Sequence, residues 1–160
     1  MPLGEAERYH FIDSKNNPLP KRGHFIIFNF SKFVNRERDG ASFGLKDRNG
    51  SKIDAKRLNI CFGEKLGFKV KTKENRKLSE VNRWLNKVRT YDFSEHQMFG
   101  LAILTHGAEN KTLYTYDEPM KLNRFINAIK HNPTLAGKPK VYSVLIKKCD
   151  ELEFITLNTS

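Results

Sequence analysis

Two short apolar runs, HFIIFNF at residues 24–30 and MFGLAIL at 98–104, constrain this chain more than any other feature. Each is short, rich in branched or aromatic side chains, and bounded by glycine or polar residues. That is how a strand covered on both faces reads. A third run, at 141–146, repeats the pattern near the end, and FKVK at 68–71 alternates like a brief strand.

Helical spacing fills the gaps between the runs. Ser51 and Asp54 have capping-box spacing, Leu58, Cys61, Phe62 and Leu66 follow at three- and four-residue steps, and Gly67 supplies a left-handed stop. Cys61 therefore reads as a core thiol. A second helix starts at Ser79 and carries Val81, Trp84, Leu85 and Val88 on one stripe, which makes Trp84 a core residue. A third starts at Pro119, carries Leu122, Phe125, Ile126 and Ile129, and ends by Pro133 and Gly137. The order strand, helix, strand, helix, strand, helix, strand predicts an α/β fold with a mostly parallel sheet and helices on both faces. Residues 1–23 read as a flexible lead-in, 24–150 as one domain and 151–160 as a tail. The polar stretch from Phe33 to Gly50 reads as one extended loop.

A length of 160 residues allows one core, and 12 Phe, 5 Tyr and one Trp supply enough bulky apolar surface to exclude a wholly disordered chain. The formal net charge of +11 is compatible with acidic partners. The basic residues, however, scatter among KRG, KDR, KVKTKENRK and IKHN, with no single helix of interleaved cations and aromatics. The charge thus reads as a solvated surface, with no specific nucleic-acid partner. There is no apolar run long enough for a membrane span, and MPLGEAERYH lacks the order of a secretory signal, so a cytoplasmic location and no membrane partner are expected. Cys61 and Cys149 are too few for a disulfide framework. His10, His24, His96 and His131 lack metal-ligand spacing, and neither metal nor other cofactor is expected.

In a parallel sheet, reactive groups collect at the carboxyl ends of the strands. Arg48 lies in the loop after the first strand, His106 after the third and Cys149 after the fourth. An imidazole, a thiol and a guanidinium at one edge would suit a cysteine protease that grips an acidic side chain.

The residues at these places also resemble a family. RGHFIIFN at 22–29, DRNGSKIDAKRL at 47–58, LGFKV at 66–70, DFSEHQMFGLAILTHG at 92–107 and LAGKPK at 135–140 look like the large subunit of a caspase. The resemblance spans roughly residues 22–140 and implies the caspase fold and a cytosolic place in apoptotic signalling. It matches His106 to the catalytic histidine, Gly107 to the glycine whose amide helps form the oxyanion hole, and Arg48 to an arginine that binds the substrate's P1 aspartate.

The pattern departs where the nucleophile should be. After GKPK the family runs through a strand into a QACRG-like segment, but here the strand reads VYSVLIKKCDELE. Counting from Lys140, Leu145 takes the place of the family's glutamine and Lys147 that of its cysteine. Cys149 comes two positions late. On a strand that keeps the same face but moves the thiol about 6.6 Å, whereas proton transfer to an imidazole needs a separation of about 3 Å. The resemblance also implies a small subunit that completes the groove, and without one an apolar sheet edge would recruit a partner strand, including one from a second copy of the chain.

Three functions follow as expectations. The first is a caspase-like protein unable to hydrolyse peptides alone, acting as a decoy or regulatory partner of active caspases. The second is an active endopeptidase that cleaves after aspartate through Cys149 and needs a separate small subunit. The third, ranked last, is a basic nucleic-acid-binding module.

Overall fold

The apolar runs do form the centre of a sheet. In the structure, a computed structural model, residue 15 and residues 21–34, 37–38, 41–42, 44–148 and 151–159 are described, with backbone alone at 37–38, 41–42, 147–148 and 151–159. Strand β1 (His24–Asn29) lies between β4 (Lys69–Glu74) and β5 (Phe99–Ala108), and β5 in turn pairs with β8 (Lys140–Lys148). All three pairings are parallel. Strand β9 (Glu151–Thr159) pairs antiparallel with β8 and closes the series β4-β1-β5-β8-β9.

Alternation along the strands divides the core in two. Ile26, Phe28 and Phe30 of β1 and its extension, Leu101 and Ile103 of β5, and Tyr142, Val144 and Ile146 of β8 face α2 (Leu78–Thr90) and α3 (Leu122–Lys130). Phe25, Ile27, Ala102 and Leu104 face α1 (Ser51–Leu58) on the other side. The helices thus cover both faces, as the strand-helix order predicted. On the α1 side, the Phe25 ring lies directly over Gly100. A Cβ at that glycine would stand 2.1 Å from Phe25 Cδ2.

Several local expectations are corrected. Ser51 is not the cap of α1. Gly50 occupies that place, and Ser51 is buried inside the first turn, where its hydroxyl accepts a hydrogen bond from Asn29 Nδ2. After Leu58 the helix widens into a π-helical segment, Asn59–Lys65, in which the Leu66 amide bonds the Cys61 carbonyl five residues back. The wider turn breaks the 3.6-residue phase. Phe62 therefore stacks on Phe25 at 3.8 Å while Cys61 is exposed, the reverse of a core thiol. Helix α2 starts at Leu78, one residue early, because the Glu80 carboxylate accepts the Lys77 amide at 2.9 Å. Trp84 sits at the edge of the core, half-buried, edge-on to Phe28.

Pro119 begins a strand, not a helix. β6 (Thr112–Tyr114) and β7 (Pro119–Lys121) form an antiparallel hairpin on the carboxyl end of β5, which runs on through His106 and Gly107 instead of stopping before them. Residues 37–38 and 41–42 pair as β2 and β3 inside the stretch expected to be one loop. Residues 151–159, expected as a tail, are β9, so the edge of β8 expected to be bare is covered. Residues 1–14 and 16–20 of the expected lead-in lie outside the described residues, and residues 21–23 are tied down by backbone bonds to Glu95, Gln97, Met98 and Lys69.

Two predictions follow from this packing. Gly100→Ala forces the Phe25 ring out of place and should lower stability by about 1–3 kcal/mol, read from the midpoint of urea unfolding. His96 is 3% exposed and its Nδ1 has no partner among the described residues. Burial, then the charges of His24, Lys21 and Lys138, push its pKa down from 6.5 to about 4, against a small opposing pull from Glu95. The unfolded chain therefore takes up this proton first. The stabilising contribution is complete above about pH 6.5 and should be lost as pH falls toward 4, by on the order of 2 kcal/mol. His96→Gln should flatten that part of a stability-against-pH curve.

Candidate active site

His106 follows directly from the length of β5. The strand carries it past the apolar stretch to the sheet's carboxyl edge, where its ring packs against Phe33 with centroids 4.9 Å apart. Its Nε2 lies 2.7 Å from the carbonyl oxygen of Lys46. A carbonyl can only accept, so Nε2 carries the hydrogen and the lone pair of the neutral ring is on Nδ1. The contact therefore fixes both the ring's orientation and its tautomer, as a general base requires.

Arg48 stands two residues further along the same segment and is 7% exposed. Its backbone amide donates to Ser31 at 2.8 Å, which pins the loop beside the end of β1. The guanidinium Nη1 donates to the Phe30 carbonyl at 3.0 Å and reaches Asn29 Oδ1 at 3.5 Å. Nε is buried with no partner among the described residues. Burial lowers the pKa of Arg48, and Asp54 on α1 partly offsets this. A guanidinium cannot lose its proton near neutral pH, so the site holds a partly desolvated cation with a donor to spare, well suited to a carboxylate.

Gly107 has a packing reason to lack a side chain. A Cβ there would come 2.2 Å from Ile146 Cγ2 on β8. That neighbour strand also carries the position that counting matches to the family's cysteine. The parallel register sets Leu104 beside Leu145 and His106 beside Lys147. The position matched by counting to the family's cysteine is thus the one next to the histidine, and lysine occupies it. Cys149 lies outside the described residues. Leu145 packs against the α1-side core cluster.

Sequence reasoning missed the supports of this edge. Asn29 is fully buried and bridges Arg48 and Ser51. Asn75 Oδ1 accepts the amides of Ser31 and Lys32 at 2.8 and 3.0 Å, holding the turn that leads toward the site. The signal for Asn29 was present in HFIIFNF, where one amide interrupts an otherwise apolar strand. Nothing in the sequence marks Lys46, which acts only through its backbone. Among the described residues no three His, Cys, Asp or Glu side chains gather as a metal site, and no helix is long and apolar enough to cross a membrane.

Comparison with known proteins gives this edge its context. The chain is 33% identical to caspase-1 of Spodoptera frugiperda over 96% of its own length and 47% of that relative's. It is 34% identical to caspase-1 of Drosophila melanogaster over 92% of its length and 43% of the relative's. It therefore spans about half the length of the curated relatives it matches. The solved structure of pro-Sf-caspase-1 superposes with a TM-score of 0.73 at 28% identity, covering 94% of this chain and 59% of that one. The profile of the caspase domain matches residues 22–155, fifteen positions beyond the motifs legible by eye and into β9. With the parallel sheet, the helices on both faces and the matching profile in agreement, the chain belongs to the caspase family.

Proposed function

We propose that this chain is a caspase-like protein of apoptotic signalling that does not hydrolyse peptides by itself and acts as a decoy or regulatory partner of active caspases in the cytoplasm. The observation that carries the reading is the register of β8 against β5, with Lys147 beside His106. A lysine ammonium near neutral pH has no lone pair to attack a carbonyl. The rest of the edge is suited to holding substrate: Arg48 as a carboxylate anchor, His106 oriented through Lys46, and Gly107 as a candidate oxyanion donor. Binding without turnover is what such a set of groups would produce.

A partner surface of the right kind is available. On the α1 face, a cavity of about 190 Å³ opens over β5 and β8, lined by Leu58, Ala102, Leu104 and Leu145. An active caspase, a caspase small subunit or a second copy of the chain could cover it with an apolar segment. The alternative function, an aspartate-specific endopeptidase working with a separate small subunit, is favoured by the hydrogen bond from His106 Nε2 to the Lys46 carbonyl, which holds the ring in a fixed orientation at the sheet edge. It would draw its thiol from Cys149.

The purified chain, alone and mixed with an active caspase, separates the two. No turnover of an aspartate-containing peptide is expected from the chain alone, while the mixture should co-elute and show a changed rate. Turnover that appears when a caspase small subunit is added to the chain, and disappears in Cys149→Ser, would establish the alternative. A second expectation concerns register. Lys147→Cys combined with Leu145→Gln should make the chain react with a peptide fluoromethylketone carrying aspartate, and adding His106→Ala should slow that labelling at least tenfold. Equal labelling with and without His106 would sink the register argument.

A further inference from the structure

The edge of the sheet farthest from β8 carries a second concave site. The register of β4 against β1 pairs Lys71 with Ile26 and Lys73 with Phe28, which places both lysines on the face that α2 covers. On α2, residues 80, 83, 84 and 87 share one side of the helix. A cavity of about 190 Å³ lies between the two elements, with Phe28 and Trp84 as its apolar part and Lys73, Arg76, Arg83 and Lys87 around it.

The charge of this cleft is unbalanced. Its single carboxylate, Glu80, is committed to Arg76 at 3.2 Å and to the Lys77 amide that starts α2. Lys73, Arg83 and Lys87 have no ion-pair or hydrogen-bond partner for their side chains among the described residues. Lys73 is half-buried, and both its burial and the charges of Arg76, Lys71 and Lys87 lower its pKa, with Glu80 the only opposing influence. Like charges converging on a partly dry concavity repel one another, and an anion with several oxygens relieves that repulsion at once. The one-dimensional sequence hid the cluster, because Lys71 and Lys73 come from a strand and Arg83 and Lys87 from a helix.

We propose that the cleft between β4 and α2 binds a small polyphosphate anion, with Lys73, Arg83 and Lys87 taking the phosphate oxygens and Trp84 lying against any organic group attached to them. Arginine contributes a planar fork that matches phosphate, and the half-buried indole offers a surface on which a flat base can stack. The ligand is either an inorganic phosphate chain or the same chain on a nucleoside. This site does not depend on the peptidase or decoy reading, since none of its residues belongs to the edge around His106.

Trp84 is the chain's one tryptophan, so its fluorescence reports from the cleft alone. Titration of the full chain with tripolyphosphate and with ATP, in about 150 mM salt where loose charge attraction is screened, should give saturable fluorescence changes, with calorimetry as a second readout. Arg83→Glu with Lys87→Glu should weaken binding at least tenfold, and Arg57→Glu on the opposite face of the sheet should leave it within twofold. Both double-variant positions are exposed, and circular dichroism checks their fold; Lys73→Gln serves in their place if it is lost. ATP at least fivefold tighter than tripolyphosphate would identify a nucleotide site that uses Trp84, and equal affinities a site for the phosphate chain. Absence of saturation in both readouts, or equal weakening by Arg57→Glu, would overturn the proposal and leave only the general attraction of a chain carrying +11.

Discussion

The parallel clamping of β5 between β1 and β8 is the constraint on which the rest of this molecule depends. Strands this close need complementary side chains on both faces, and β5 meets the need with glycines near both ends and larger side chains between them. Gly100 yields space to Phe25 near its start, Leu101 and Ile103 fill the side under α2 and α3, and Gly107 yields space to Ile146 near its end. Burying such apolar surface is worth roughly 25 cal/mol per Å², and the two-sided cover lets a single strand contribute on both faces. The same clamp determines that His106 emerges at a fixed height beside Lys147. Structure and candidate chemistry are therefore consequences of one register.

At the carboxyl edge, polar groups are buried to hold one another. Burying the Arg48 guanidinium is costly, and the cost is met in part by the Phe30 carbonyl and by Asn29, which also donates to Ser51 at the start of α1. The strand end, the loop and the first helix are joined through this one amide. Lys46, in the same loop, then reaches His106 with its carbonyl. A buried guanidinium and an oriented imidazole are thus parts of one assembly. In this chain the residue set beside that histidine by the strand register is Lys147.

Much of the scaffold was legible because it obeys simple periods. HFIIFNF and MFGLAIL read as central strands because both faces are covered, and Leu122, Phe125, Ile126 and Ile129 read as a helix face because all four pack on the sheet. The failures have equally definite causes. Cys61 was assigned to the core by a 3.6-residue period that the π-helical segment abandons. The β6–β7 hairpin has only three residues per strand, too few to show alternation, and Pro119 mimicked a helix start. Of the candidate site, His106 and Arg48 were visible through motif and strand-end logic. Lys46 and the half-buried Lys73 were not, since one acts through backbone and the other through neighbours remote in sequence.

The parallel registers also bear on how the chain reaches this state. Phe25 meets Gly100 and Leu101 meets Tyr142, so each central pairing joins segments many tens of residues apart. Long loops must close before such contacts repay the lost entropy, which makes folding slow compared with a helical bundle of the same size. During synthesis the first strand leaves the ribosome well before either of its neighbours exists. Its five consecutive buried residues then wait without cover, and early growth of the chain is the stage at which chaperones matter most to its yield.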